Sequence, residues 1–350
     1  VREVEPLTAP VEPVEALRRS AFLLERARAG TYKVKAFRGA VATVKGLPAD
    51  EVTSRAAAGT LKELPGVGSA TASVISEAVE GRLPEYLESL QQKATESLVT
   101  GGHGVWAALR GDLHSHSDWS DGGSPIDEMV LAAVELGQDY LVLTDHSPRL
   151  RVANGLSAER LTRQLAVVDA LNSGLGQRFR LLKGIEVDIH DDGSLDQTPA
   201  MLARLEVVVA SVHSKLAMDP GPMTARMVGA VANPAVDVLG HCTGRLVEGD
   251  RGTRPQSRFD ARAVFEACAE HQVAVEINSR PERCDPPDEL VTLALELGCL
   301  FSIDSDAHAP GQLTMKAHGC ERAERLGVPL DRVVTTWPLD RLLAWSSRRR

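Results

Sequence analysis

Apolar positions along this chain change their period once. From Pro13 to Val79 they recur at helical spacing. Val14, Leu17, Phe22, Leu23 and Leu24 are followed by Val34, Phe37, Ala40, Val41 and Val44, and later by Ala72, Val74, Ile75, Ala78 and Val79, with a further helix expected over residues 52–62. Leu64-Pro65-Gly66-Val67-Gly68 breaks the pattern, so this stretch reads as helix, tight glycine turn, helix. Such a turn offers backbone N–H donors at a helix start, a setting suited to a nucleic-acid phosphate. It equally serves as a plain connection between packed helices. A connector over residues 89–109, with one short helix and the Gly101-Gly102 break, ends this region.

Beyond it, short apolar runs end near His114, Thr144, Glu186, His213, His241, Asn278 and Asp304 and read as seven strands. Helical stretches over residues 125–136, 157–171, 224–232, 260–271 and 288–297 separate them. Alternating strand and helix predict a mainly parallel α/β architecture. The expected division is a flexible lead-in (1–13), a small all-α domain (14–92), a linker (93–108) and an α/β domain (109–350), whose three final arginines read as a solvated tail.

Chemistry concentrates at the strand ends. His114, His116, Asp121, His146, Glu186, His213, His241, Asp306 and His308 each end or follow one of the apolar runs. A barrel of parallel strands gathers such ends at one rim, where distant residues become neighbours. In His114-Ser115-His116 the alternation of an extended strand turns both imidazoles to one side, where they can grip one ion. Neutral imidazole suits zinc, manganese or iron, and carboxylates neutralise and bridge cations. Six of the ten histidines belong to this set, whereas His103, His190, His271 and His318 fall outside it.

Composition adjusts this picture. The net charge of −9 excludes a surface that attracts nucleic acid throughout, but residues 1–100 hold 13 basic and 13 acidic side chains and are neutral, so the acid lies in the remainder. Bound cations would offset part of it. Aromatics at 4% make base stacking no obvious theme. Five cysteines without a CxxC pair fit a reducing, cytoplasmic setting, and neither a membrane span nor a signal segment is expected.

The segments GDLHSHSDWSDG, LVLTDHS, ANGLS, GIEVDIH, SVHSKL, GHCTGRL, EINSRPER and SIDSDAH resemble the polymerase and histidinol phosphatase (PHP) domain over roughly residues 108–345, above all the form found in bacterial family X DNA polymerases. The resemblance implies a distorted, TIM-like (β/α)7 barrel. It also implies two to three divalent ions (Zn, Mn or Fe): one held by His114, His116, Glu186 and Asp306, a second by Glu186, His213 and His241, and a third by Asp121, His146 and His308. All nine positions are filled, although Asp121 stands where some relatives carry histidine and Cys242 where relatives carry proline. Glu186 and Asp306 are expected to be catalytic through the ions. Lys215 and Arg245, with Arg149, are candidates to neutralise phosphate charge, and a metal-bound water, Asp145 or a rim histidine to deliver a proton.

Residues 14–92 resemble the small helix-hairpin-helix domain that opens family X polymerases, through TYKVKAFRGA and LPGVGSATASVISEAVEGRLPEYL. That likeness implies contact with gapped DNA through Lys33, Lys35, Arg38, Gly66 and Gly68, with Lys45 completing a basic cluster. Val74 stands where some relatives carry the lyase lysine, so no Schiff-base chemistry is expected there. Only about twenty residues separate the two domains, where the family inserts its nucleotidyl-transfer domains. The expected function is metal-dependent hydrolysis of DNA phosphodiesters, as a 3′-5′ exonuclease or a DNA-repair nuclease acting on ends or abasic sites. The alternatives are a phosphatase for a small phosphorylated metabolite such as histidinol phosphate, with the helical domain as scaffold, and a non-catalytic DNA-binding partner.

Overall fold

The computed structural model describes residue 2 and residues 5–249 and 252–349; residues 1, 3 and 4 of the expected lead-in and the last of the final arginines lie outside them. The chain divides into two units, a helical one built on residues 5–97 with Ala309–Gln312, and a second unit formed from most of the remainder.

In the helical unit the apolar faces form the helices Pro13–Arg26 and Thr31–Lys45, followed by Ala49–Ala58, Ser69–Val79 and Glu85–Ala94. They share a core of Leu17, Phe37, Val41, Val74, Ile75 and Leu87. The third helix starts and ends before the expected 52–62: Asp50 and Glu51 favour its first turn, and Gly59, at φ 71°, stops it. A single short turn, Leu61–Glu63, follows. Helix Glu85–Ala94 escapes the periodicity reading because Leu87 is the one fully buried position on it. Gly66 adopts φ 75° and packs its backbone against Gly39, while the Gly68 amide donates to Thr71 Oγ1 at 2.9 Å.

The other unit is a barrel of seven parallel strands in chain order: β1 Gly111–Asp112, β2 Tyr140–Leu143, β3 Arg180–Asp188, β4 Val207–Ser211, β5 Val238–Leu239, β6 Ala274–Asn278 and β7 Leu300–Asp304. Each end lies within two residues of its expected place. Past β7 and β1 the cylinder closes through a parallel bridge, Ser115 to Ala307, with the His116 amide donating to Ala307 O at 2.8 Å. Helices Ile126–Glu135, Ala158–Leu175, Pro220–Ala232, Ala261–His271 and Asp288–Glu296 alternate with the strands.

Buried runs explain the strands: Val207, Val208 and Val209 of β4 are fully buried, and each such side chain contributes about 1.5–3 kcal/mol. One apolar cluster lies between strands and helices; a second gathers Leu113, Tyr140, Leu182, Val207 and Val238 with Trp337 and Trp345. Arg348 and Arg349 are not a solvated tail: they donate to carbonyls of Gln272, His271, Val231 and Ala232 and tie the last helix down. Among the described residues no helix is long and apolar enough to cross a membrane. All five cysteines are unpaired thiols, and Cys242 is buried in the core.

Candidate metal centre

The strand ends bring eight of the nine expected side chains onto one carboxylate or its neighbour, with Asp121 at the open edge. Glu186, on β3, is fully buried and its two oxygens face different ways. Oε1 lies 2.9 Å from His241 Nε2 and 3.2 Å from His213 Nε2. Oε2 lies 2.9 Å from His146 Nδ1, 3.3 Å from His114 Nε2 and 3.7 Å from His116 Nε2. Asp306 sits across the closure, with Oδ1 3.3 Å from His116 Nε2 and 3.9 Å from His114 Nε2. Asp121 Oδ1 stands 3.4 Å from both His146 Nε2 and His308 Nε2.

Local structure sets these positions. The backbone at Gly240 runs so close to β4 that a Cβ there would fall 2.4 Å from Ser211 Oγ, which seats His241 against the barrel. Asp145 is buried and accepts from the Ser117 amide and hydroxyl, from Ser120 and from Gln164. It braces the loop that carries His114 and His116.

The donor set fits divalent cations. His114 Nε2, both nitrogens of His116, His146 Nδ1, His241 Nδ1 and Glu186 Oε2 are buried without a hydrogen-bond partner, a costly state for polar atoms unless something satisfies them. Burial opposes charge on His146, yet Glu186 and Asp121 outweigh it and hold the imidazole up to about 10 before any cation binds. His116 moves the other way, to about 3, because burial and the neighbouring His308 and His146 disfavour its charged form. Glu186 and Asp306 are pressed well below the carboxylate range; burial resists this, but the surrounding histidines, and for Asp306 also Arg283 and Arg280, prevail.

Three groups meet the geometric demand that ligand atoms lie within 4.8 Å of one another: His116 with Asp121, His146 and His308; His114 with His116 and Glu186; and His146 with Glu186 and His213. A cleft of about 420 Å³ opens onto them, lined also by Leu150, Val152 and Leu216 and by Arg254, Arg280 and Arg283. Arg280 is engaged by Glu282, Asp306 O and His308 Nδ1. Arg283 Nε lies 3.2 Å from Asp306 Oδ2 but makes no hydrogen bond.

The cations expected from sequence stand elsewhere. Lys215 is exposed and pairs with Asp191 outside the cleft wall. Arg245 donates to the carbonyls of Arg283 and Cys284, so it supports the loop bearing Arg283 instead of entering the cleft. The Arg149 guanidinium is bonded to His190 Nδ1, and its backbone amide donates to Asp196 Oδ2 at 2.6 Å. In the helical unit Lys33 and Lys35 are exposed, Gly66 and Gly68 form the turn, and Arg38 is committed to Glu25 at 2.7 and 2.8 Å. Residues to which the sequence reading gave no role are Asp188, bonded to His213 Nδ1, Glu276, 2.6 Å from His114 Nδ1, and Asn278, Arg280 and Arg283. The EINSRPER segment holds four of these five, but no spacing rule marks them.

Residues 112–280 match the PHP domain family and residues 11–82 the helix-hairpin-helix domain family. The DNA polymerase/3′-5′ exonuclease PolX of Bacillus subtilis is 40% identical over 229 residues, which take in 64% of this chain and 38% of that protein. The chain therefore spans well under half the length of that relative. A Vibrio parahaemolyticus protein named "Probable phosphatase" is 27% identical over 242 residues, 64% of this chain and 88% of that one. The crystal structure of histidinol phosphate phosphatase from Lactococcus lactis superposes with a TM-score of 0.45 at 16% identity, covering 62% of this chain and 92% of that one. The chain thus carries a PHP domain, with a helix-hairpin-helix domain ahead of it in sequence.

Proposed function

We propose that the barrel hydrolyses phosphodiesters in DNA, as a 3′-5′ exonuclease or a repair-type nuclease acting on ends or abasic sites, and that the helical domain holds gapped or damaged duplex. The observation that carries the hydrolytic half is the two-faced Glu186, whose oxygens serve His213 and His241 on one side and His114, His116 and His146 on the other. Such a carboxylate suits a bridge between two ions. On this reading His114, His116, Glu186 and Asp306 hold one ion, Glu186, His213 and His241 a second, and Asp121, His146 and His308 a third. Imidazole and carboxylate donors accept zinc, manganese or iron. Divalent ions bound there supply the means to ionise a water near neutral pH and to polarise a phosphoryl oxygen for in-line attack.

The chain's own residues do the rest. Arg283, at the cleft wall with its Nε 3.2 Å from Asp306 Oδ2, offers its guanidinium to a phosphoryl oxygen and is assigned the role first expected of Lys215 and Arg245. Arg245 keeps the Arg283 carbonyl in place. Leu150, Val152 and Leu216, which also line the cleft, offer the sugar and base apolar contact. The DNA half of the proposal is supported by the helix-hairpin-helix match and by the likeness to PolX.

A second reading, a phosphatase for a small phosphorylated metabolite, is favoured by the likeness that spans 88% of the Vibrio protein. One substrate panel separates the two. Single-stranded, gapped and abasic DNA are offered beside histidinol phosphate, with Mn²⁺ or Zn²⁺ added. Ion-stimulated cleavage of DNA with slow turnover of histidinol phosphate is expected; the reverse ranking would transfer the conclusion to the phosphatase.

A further inference from the structure

Glu276 lies on β6, fully buried, and its oxygens are divided between His114 and His241. Oε1 accepts from His114 Nδ1 at 2.6 Å. Oε2 accepts from the backbone amide of His241 at 2.5 Å and from Asn278 Nδ2 at 3.3 Å. Asn278 Nδ2 also donates to Asp306 Oδ2 at 3.1 Å. On the ion assignment above, His114 and Asp306 belong to one ion and His241 to the other. Asp188, the comparable carboxylate, bonds one ligand imidazole only, that of His213.

The chemistry of the contact has a direction. A carboxylate acceptor fixes the proton on Nδ1 of its histidine, which leaves Nε2 to face the cation and makes it a stronger donor. His114 Nε2 indeed points to Glu186 and Asp306. A buried carboxylate is an expensive way merely to fill a strand, since desolvation costs several kcal/mol that a neutral side chain would avoid. Its register partner on β7, Ser302, is buried too, so solvent does not repay that cost.

We propose that Glu276 is a positioning residue that couples the two ion positions bridged by Glu186: through His114 and Asn278 it orients one ligand group, and through the His241 amide it seats the other. The inference rests on the ion-holding part of the proposed function and is independent of whether DNA is the substrate.

The test is ion binding by the full-length protein. Metal-stripped wild type, Glu276→Gln and Asp188→Asn are titrated with Zn²⁺ against a chromophoric chelator, and the stripped proteins are melted in parallel. Wild type is expected to take up at least two zinc ions. Asp188→Asn should weaken one step by about 10–100-fold, and Glu276→Gln should weaken two steps, each by about that factor. If Glu276→Gln does not survive stripping, Glu276→Asp, which keeps the charge but withdraws the acceptor by one methylene, takes its place with the same expected outcome. A single weakened step, or a lower melting temperature with unchanged zinc steps, would overturn the coupling and leave Glu276 a structural residue. Wild type that binds no zinc would sink the ion site itself, and this inference with it, whereas zinc uptake without DNA cleavage would touch only the substrate reading.

Discussion

The barrel rim and the exposed face of helix Thr31–Lys45 each carry the charge their proposed chemistry needs, and they carry it in opposite ways. At the rim, His114, His116, Glu186 and Asp306 are buried and locked by one another, at most 2% of any side chain being exposed. On the helix, Lys33 and Lys35 stand in solvent, where any other cation would serve. Converging ligands act as a unit, so one loss is large. Diffuse charge is additive, so one loss is small.

The sharpest way to break the comparison is to remove ligands from the rim. A His114→Ala, His116→Ala double variant should lose on the order of 10³-fold or more in hydrolysis, because several kcal/mol of electrophilic assistance disappear and each 1.36 kcal/mol is a factor of ten. Steady-state cleavage at saturating Mn²⁺ measures it. Residual activity within tenfold of wild type would mean that the rim is not where phosphate chemistry happens.

Arg283→Ala comes next. With the phosphate partner gone and the ions left, turnover should fall by about 10²-fold in kcat with zinc content unchanged. Equal metal content is what separates this loss from the previous one. Lys215→Ala, by contrast, should stay near wild type, since Lys215 is exposed and turned towards Asp191.

That pair of arginine and lysine shows what a sequence can and cannot carry. The strand ends were readable because burial leaves a pattern in the chain: the β4 run Val207–Ala210 is continuous and apolar, and the β3 run into Glu186 is broken only by Lys183. Arg283 was not readable, because arginines are ordinary at a barrel rim and only the fold says which of them line the cleft. Glu276 interrupts the apolar β6 run as any half-exposed strand residue would, and its burial follows from strands on both sides of it. Arg38 misled for the same reason: its partner Glu25 lies 13 residues away on another helix, beyond any local pattern.

A smaller effect sharpens the electrostatics of the rim. Before cations bind, His146 is held up to about 10 and is protonated at pH 7. A ligand imidazole must be deprotonated, so zinc loading at pH 7 should release at least one proton, measured as acidification of a weakly buffered solution, and zinc affinity should fall as pH falls. Stability has the opposite sign in the stripped protein. A histidine whose folded value is raised contributes fully below about 6.5, its unfolded value, and the contribution is lost as pH rises towards 10. Proton uptake on loading would contradict the assignment of His146 as a ligand.

The least effect is expected on the helical face, and its smallness is the point. Each lysine that neutralises one DNA phosphate contributes about 0.9 to the slope of log affinity against log salt. Lys33→Ala with Lys35→Ala should therefore lower that slope by up to about 2 and weaken gapped-duplex binding modestly, while leaving hydrolysis of a small aryl phosphate ester and the melting curve unchanged. Arg38→Ala is the control from the same helix. It breaks an ion pair in which the Arg38 and Glu25 side chains are only 10% and 1% exposed, and losing one partner of so buried a pair costs up to about 3–5 kcal/mol, so its effect falls on stability. If the two lysines left the salt slope untouched while Arg38→Ala changed it without destabilising the domain, the division between diffuse and locked charge would be drawn on the wrong residues of helix Thr31–Lys45, and DNA contact would have to run through another face of the domain.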